Sequence, residues 1–448
     1  KGALARMAGS ISRRSGRGGG TTLPGRLLVR LQPDAIARLA RRLPDGTALL
    51  SATNGKTTTA AMAATVLAPE LRLARNVGGA NLVSGIASAL LRAPADARVG
   101  LFEVDEAALP AVARAVGPRA LLLANLFRDQ LDRYGELELV AQRWRALVAD
   151  LPEASTLVVN ADDPLVAALG EARPGTLRFG VDDPAQAVPL EHASDSTTCV
   201  ACGHALAYAA AYVGHLGAWS CPGCGRARGA LDLAARAIEL DGVAGARFRL
   251  DGPTGSVDVH LGVPGLYNVY NALAALALAT ALGVDPVRAA PRLARFTAAF
   301  GRFERLAVGD REAVLLLVKN PAGANVSLRT IASAVPGRPV LLCLNDRIAD
   351  GRDVSWIWDA DWEVALPGAA RVVCSGTRAA DMALRAKYGG VPAERLEVVD
   401  ELEAAFDRVL ELAGPGGEAY VLPTYTAMLD LQRIARERGL TGAYWEGA

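Results

Sequence analysis

The run Ser51-Ala52-Thr53-Asn54-Gly55-Lys56-Thr57-Thr58-Thr59 constrains this chain more than any other stretch. Thr47-Ala48-Leu49-Leu50 precedes it and reads as a buried strand, and Ala60 to Leu67 follows it and reads as a helix. A strand, a tight turn ending in Gly-Lys-Thr and a helix form a phosphate cradle, because backbone N–H groups and the helix N-terminus present positive potential to a polyphosphate. Lys56 is placed to reach the β- and γ-phosphates and the Thr57 hydroxyl to ligate Mg²⁺. Thr53, Asn54, Gly55 and Thr58 complete the expected nucleotide contacts. Ser51 stands where a standard P-loop begins with Gly. The competing reading is an ordinary strand-to-helix turn that happens to contain Gly-Lys.

The chain has 448 residues, of which 51% are hydrophobic and 21% charged, so two or three domains with ample core are expected. A net charge of +1 gives no global electrostatic case for nucleic acid or a membrane surface. No apolar run approaches the roughly 20 residues that span a bilayer, so an integral membrane protein is not expected. Lys1 to Gly20 is basic and Gly/Ser-rich and lacks the apolar segment of a signal peptide, which reads as cytoplasmic. The first residue is not Met, so a short N-terminal piece is expected to be missing.

Cys199-Val200-Ala201-Cys202 and Cys221-Pro222-Gly223-Cys224 are Cys-x-x-Cys pairs separated by 18 residues, a zinc-ribbon spacing. Gly203 and Gly225 follow the pairs and allow the turn that brings backbone amides to the thiolates. Four thiolates close a tetrahedron without a place for water, so the zinc is expected to be structural, contributing on the order of 10–16 kcal/mol to local folding. Two disulfides or a redox pair are the alternatives. His204 and His215 lie inside the knuckle and read as surface residues, while Cys343 and Cys374 read as small apolar residues of buried strands.

The spacing predicts a lead-in over 1–45 with a short helix from Pro33 to Arg42, and a parallel sheet covered by helices over 46–302. Strands are expected at Val99–Val104, Ala120–Ala124 and Thr156–Asn160, with edge strands over Phe248–Leu261 and the zinc ribbon inserted at the surface over about 195–228. A smaller Rossmann-like domain is expected over 303–448. Its strands are Ala313–Val318, Val340–Leu344, Arg371–Cys374, Leu396–Val399 and Ala419–Leu422, and its helices Arg378–Lys387, Glu401–Leu412 and Ala427–Arg438.

Glu103, Asp105 and Glu106 follow a buried strand where parallel strands converge on a ligand, and a carboxylate there can hold Mg²⁺. A solvated acidic turn is the alternative. Asn125 to Gly135 lies just past another strand end and is too polar for simple packing. Asn268-Val269-Tyr270-Asn271 opens a helix after Gly265; Asn268 and Asn271 are read as adenine contacts, with Asn268 equally able to be only an N-cap. Arg302, within Phe300-Gly301-Arg302-Phe303-Glu304-Arg305, is read as reaching ribose or phosphate.

This ordered set resembles the Mur ligase family of ATP-dependent amide-bond synthetases. The Thr53 to Thr58 loop, Asn125 with Asp129-Gln130-Leu131-Asp132, Asn268 to Ala275 and Gly301 to Glu304 match in order. The cysteine knuckle, Gly18 to Gly25, Lys319 to Asn325, Asn345-Asp346 and Ala349 to Asp359 resemble the MurT branch. The resemblance implies an α/β fold: a Mur-ligase-type central P-loop ATPase domain with an inserted four-cysteine zinc ribbon, then a smaller Rossmann-like C-terminal domain. It implies amidation of the D-glutamate α-carboxylate in the lipid II stem peptide through an acyl phosphate. Ammonia would come from a GatD-like glutaminase, and the substrate would be met at the cytoplasmic face of the membrane. Lys56, Glu103 and Asp353 are the catalytic candidates this suggests, with Asp353 orienting a partner His or serving ammonia handling; a cap on a helix through Ser355–Trp358 is the alternative. Family members that join amino acids carry His where Gln130 stands and Lys about 14 residues on, where this chain reads Gln142-Arg143-Trp144-Arg145. They also carry an N-terminal domain for the UDP moiety, which is not expected here because the P-loop begins only some 50 residues in. Both differences fit a lipid-linked substrate and ammonia.

Overall fold

The structure, a computed structural model, describes residues 22–77, 79–129, 137–190, 194–297 and 302–440, Arg302 by its backbone alone. Its centre is a sheet of nine strands: β1 (Thr47–Ser51), β2 (Leu73–Arg75), β3 (Val99–Glu103), β4 (Ala120–Leu123), β5 (Thr156–Asn160), β6 (Leu177–Val181), β9 (Leu233–Leu240), β10 (Ala246–Gly252) and β11 (Gly255–Leu261). Between β6 and β9 the chain forms a separate hairpin, β7 (Ala207–Val213) and β8 (Leu216–Ser220). The sheet order is β11-β10-β9-β6-β5-β4-β1-β3-β2, parallel from β2 through β9, with β9, β10 and β11 antiparallel.

Every residue of β1, β3 and β4 is buried, as near-continuous apolar strands must be when helices cover both faces. One face packs against the helices Lys56–Leu67 and Leu266–Ala281. The other packs against Val83–Leu91, Leu109–Val116 and Leu137–Ala149, among others. Between β3 and β4 the chain crosses to the other side of β1, so the crevice beyond the carboxyl end of β1 is the topological switch point where such sheets bind ligands.

The lead-in is not one helix but two, Leu23–Leu31 and Ala35–Ala40. It is packed onto the central body rather than set apart from it. Gly25 donates its N–H to Ser88 Oγ at 2.7 Å, and a Cβ there would lie 1.8 Å from the Ser84 carbonyl oxygen, so only glycine permits this approach.

The second body has six strands: β12 (Arg302–Val308), β13 (Arg311–Leu316), β14 (Pro339–Cys343), β15 (Arg371–Ser375), β16 (Leu396–Val398) and β17 (Glu418–Pro423). Their order is β12-β13-β17-β14-β15-β16, with β12 antiparallel and the rest parallel between two apolar layers. Cys343 and Cys374 are buried in β14 and β15, as the sequence predicts. The helices Ala379–Tyr388, Leu402–Ala413 and Tyr425–Glu437 fall within two residues of their expected bounds.

Candidate nucleotide and metal sites

The turn between β1 and the helix Lys56–Leu67 has the geometry of a phosphate cradle. Gly55 is left-handed, with φ +85°, and a Cβ on it would lie 2.1 Å from Asn271 Oδ1. Two constraints therefore require glycine, one backbone and one steric. Ser51, in place of the usual first glycine, is the last residue of β1; its hydroxyl donates to the Val104 carbonyl at 2.8 Å and ties β1 to the exit of β3.

Neighbouring strand ends fix the loop. Thr53 N–H donates to the Asn125 carbonyl at 3.0 Å, Asn54 N–H donates to Asn125 Oδ1 at 2.9 Å, and Asn125 Nδ2 donates to the Asn54 carbonyl at 3.0 Å. The second body reaches the same loop. Lys319 Nζ donates to the Thr53 carbonyl at 3.2 Å and pairs with Asp129, while the Asn54 and Asn320 amides exchange bonds at 3.3 and 3.1 Å. The Lys319-Asn320 pair, which the sequence reading marked only as part of a motif, is thus a clamp on the cradle.

Lys56 is buried and folded across the loop. Its Nζ pairs with Glu106 at 2.9 Å and donates to the Ala52 carbonyl. Burial acts to lower the Lys56 pKa, but Glu106, by charge and hydrogen bond, with Glu103 and Asp129, outweighs burial and raises it, so the ammonium stays charged. Thr57 Oγ1 donates to Glu103 Oε1 at 3.1 Å. Glu103 is held from behind: Asn81 Nδ2 donates to the same oxygen at 3.3 Å, and Asn76 brackets its backbone with bonds of 3.0 and 2.8 Å. Glu103, Asp105 and Glu106 are all buried, which overturns the solvated-turn alternative. Trp144 is fully buried and its Nε1 donates to the Glu106 carbonyl at 3.1 Å, so it braces the acidic segment.

A cleft of about 810 Å³, measured to its open mouth, runs from Gly55 between the two bodies. Asn271, Phe127, Tyr267 and Tyr270 line it from the first body, and Leu317, Lys319 and Val326 from the second. Asn271 is in the wall, where its Oδ1 accepts from Thr59 at 3.2 Å. Asn268 is not among the lining residues. Its amide donates to the Pro264 carbonyl at 2.8 Å, and its Oδ1 accepts from Asn271 at 3.0 Å, so it backs Asn271. The helix N-cap is Gly265, not Asn268. Thr58 is buried within its helix, and its hydroxyl has no hydrogen-bond partner among the described residues. Arg302 lies in β12 with its side chain outside the described residues, as do Gln130, Leu131, Asp132, Gly135 and Gly301.

The four knuckle thiols converge, all Sγ atoms lying within 4.8 Å of one another. Cys199 and Cys224 are 3.6 Å apart and Cys202 and Cys221 3.4 Å, distances that suit a tetrahedral ion with Zn–S bonds of about 2.3 Å. The two turns are alike: Gly203 N–H donates to Cys199 O at 2.9 Å and Gly225 N–H to Cys221 O at 3.0 Å, both glycines having positive φ. Burial raises the Cys199 pKa, but the amides of Ala201 and Cys202 and neighbouring thiols outweigh it and bring it to about 6. Amide bonds from His204 and Arg226 lower the pKa values of Cys202 and Cys224, but the neighbouring thiols outweigh them and push both up. His204 is exposed as expected. His215 is not a surface residue: it is 0% exposed, its ring 4.6 Å from that of Phe127 and its Nε2 3.3 Å from Asp163 Oδ2. Neither histidine is among the converging ligands.

Asp353 is exposed on the second body, where its Oδ1 accepts from Ser355 N–H at 2.8 Å at the start of a short 3₁₀ turn. Hydrogen bonds from the Ser355 hydroxyl and N–H lower its pKa. The expected local bond is present, although the turn's formal N-cap is Val354. Of the three nearby tryptophans, Trp362 is core, while Trp358 is exposed and packs edge-on against the exposed Tyr388 at 5.8 Å.

Residues 51–215 match the Mur ligase middle domain family and residues 317–428 match the MurT ligase C-terminal family. The lipid II isoglutaminyl synthase (glutamine-hydrolyzing) subunit MurT of Streptococcus pneumoniae is 33% identical over 94% of this chain and 93% of its own. Among solved structures, a pseudomurein peptide ligase type C from Methanothermus fervidus superposes with TM-score 0.68 at 22% identity, covering 88% of this chain and 79% of that one. The MurF ligase of Thermotoga maritima in complex with ADP gives TM-score 0.63 at 14% identity, covering 93% and 85%. No helix of the described residues is long and apolar enough to cross a membrane.

Proposed function

The chain belongs to the Mur ligase family, in its MurT branch, and on that premise we propose that it is the ATP-dependent synthetase subunit that amidates D-glutamate in the lipid II stem peptide, acting at the cytoplasmic face of the membrane. The observation that carries this reading is the cradle itself: Lys56, Thr57, Glu103 and the Lys319-Asn320 clamp meet at one end of a cleft between two bodies. The first body, 46–302, would hold nucleotide, and the second, 303–448, would close over it. The α-carboxylate attacks the γ-phosphorus, ADP leaves, and an acyl phosphate forms. Ammonia then attacks the acyl carbon, inorganic phosphate leaves, and a proton is lost to give the amide.

Each residue role follows from position. Lys56 exchanges Glu106 and loop carbonyls for phosphate oxygens and neutralises charge on the transferring group. Thr53, Asn54, Gly55 and Thr58 present the loop and the helix start. Thr57 and Glu103 would hold Mg²⁺, which supplies charge neutralisation between the β- and γ-phosphates. Asn271 faces the base directly with Asn268 behind it, and Arg302 is assigned to ribose or phosphate. The four cysteines would hold a structural zinc. Trp144, on the helix where amino-acid-adding relatives are expected to carry Lys, disfavours amino-acid transfer. A GatD-like glutaminase would dock at the exposed Asp353, Trp358 and Tyr388 and deliver ammonia.

The test is incubation of the chain with Mg·ATP, lipid II and ammonium, without partner. Stoichiometric ADP and a D-isoglutamine product, about one mass unit lighter than the acid, are expected. Transfer of an amino acid, or no acceptor-dependent ADP with a glutaminase added, would refute the proposal.

A further inference from the structure

The cysteine knuckle does more than hold a surface insertion together. The hairpin β7–β8 lies between its two Cys pairs, and residues from the hairpin's tip stand in the nucleotide cleft: Val213 and Leu216 both line it. Between them, Gly214 sits against Phe127, so closely that a Cβ would lie 3.0 Å from the ring, and the tilted His215 ring packs against the same ring at 4.6 Å. Phe127 is itself a wall of the cleft. The strand β8 is tied to the chain just past β5, with Trp219 Nε1 donating to the Ala161 carbonyl at 3.0 Å and Gly217 N–H to the Asp162 carbonyl at 2.9 Å.

A second route runs from the other side of the knuckle. Arg228, four residues past Cys224, donates to Asp162 Oδ1 at 3.0 Å, and the Tyr270 hydroxyl donates to Asp162 Oδ2 at 2.6 Å. Tyr270 is again a cleft residue. Both chain segments that enter and leave the hairpin are therefore fixed by the cysteine turns, and both lead to the same wall. A two-stranded hairpin is marginal by itself, and short segments with four thiolates take their folding energy from the metal.

We propose that this hairpin is a positioning element of the nucleotide site, so that metal occupancy of Cys199, Cys202, Cys221 and Cys224 sets nucleotide affinity. The inference rests on the nucleotide reading of the cleft. Coupling of this kind is reciprocal: if the loaded knuckle tightens nucleotide binding by some factor, bound nucleotide must tighten metal binding by the same factor.

The experiment titrates ADP by calorimetry into the full chain loaded with zinc, into the same protein stripped by chelator, and into Cys221→Ser and Leu216→Ala. The stripped protein and Cys221→Ser are expected to lose zinc and to bind ADP at least about tenfold more weakly. Leu216→Ala is expected to keep its zinc and weaken ADP binding by about tenfold, which holds the test open if the cysteine variant fails to fold. Saturating ADP is expected to raise the zinc affinity, measured by competition with a chromogenic chelator, by the same factor as zinc raises ADP affinity. Stripped protein that binds ADP with the affinity of the loaded form, or zinc affinity indifferent to ADP, would overturn the inference and leave the nucleotide reading standing. Failure of the loaded wild type to bind ADP would overturn both.

Discussion

Replacing Gly55 with Ala tests the cradle where its geometry is most constrained. An L-residue at φ +85° costs about 1–2 kcal/mol relative to glycine. The added methyl would lie 2.1 Å from Asn271 Oδ1, so Asn271 must retreat by about 1 Å to reach an ordinary carbon–oxygen contact of about 3.3 Å. That movement breaks the bond from Thr59, worth about 1 kcal/mol. The total is about 2–3 kcal/mol, or roughly 30- to 150-fold in an equilibrium constant. If the unliganded loop carries the strain, the cost appears as a fall in Tm of roughly 4–12 °C; if the loop relaxes when empty, it appears as weaker ADP binding. Calorimetric titration with ADP and a thermal melt on the same samples cover both. Gly117→Ala is the control, because Gly117 also has positive φ but nothing lies within 4 Å of its added methyl. It should lose about 1 kcal/mol of stability and leave ADP affinity unchanged. A Gly55→Ala protein matching wild type in both Tm and ADP affinity would refute this account of the loop.

Lys56→Ala should abolish acceptor-dependent ADP formation, and by leaving Glu106 buried without its ion-pair partner it should also destabilise the fold by about 3 kcal/mol. Adding Glu106→Gln should restore Tm but not turnover, and recovery of turnover would remove Lys56 from the chemistry. Burial lifts the Asp162 pKa from 3.8 to about 6 against the opposing pull of Arg228, Tyr270 and the Val181 N–H. Between pH 4 and 6 the folded state therefore keeps a proton that the unfolded chain has released, so this group's contribution is present below about pH 4 and lost as pH rises through 6, by about 3 kcal/mol. Asp162→Asn should remove that slope from unfolding free energies measured over pH 4–6.5, and an unchanged slope would assign it elsewhere. Asn320→Ala removes the amide exchange with Asn54 and also the helix cap that Asn320 Oδ1 makes with Gly323 N–H at 2.8 Å, so it should weaken ADP binding by about three- to tenfold and cost about 1 kcal/mol of stability; equal affinity would show that the clamp does not act on the nucleotide.

Some of this site was legible in the sequence for a definite physical reason. A strand-turn-helix loop is built from consecutive residues, so Gly55, Lys56 and Thr57 stand together in the sequence, and the two Cys-x-x-Cys pairs carry the four thiols that the structure brings within 4.8 Å of one another. Buried parallel strands such as β3, β4 and β5 are apolar along most of their length and fall where expected. Contacts across the fold leave no such mark. Asn54 and Asn320 are 266 residues apart, and nothing local to either says that their amides pair. His215 reads as polar and exposed because its burial depends on Phe127 and Asp163, which arrive from the segments just past β4 and β5. Asn268 and Asn271 are adjacent on one helix, and only the approach of Gly55 and Thr59 decides which of them faces the cleft.

These cases divide along the cleft itself. The proposed phosphate end is made by one strand-turn-helix unit and is encoded locally. The opposite end is assembled from a hairpin tip at Val213 and Leu216, a helix at Tyr270 and a strand of the second body at Leu316. Each of these elements is apolar for its own packing, and nothing in its sequence neighbourhood says that the others meet it at the cleft. A change at the phosphate end should therefore act mainly on turnover. A change at the assembled end should act first on affinity, through whichever distant element holds the wall in place, and the cysteine knuckle is the element most separable from the rest.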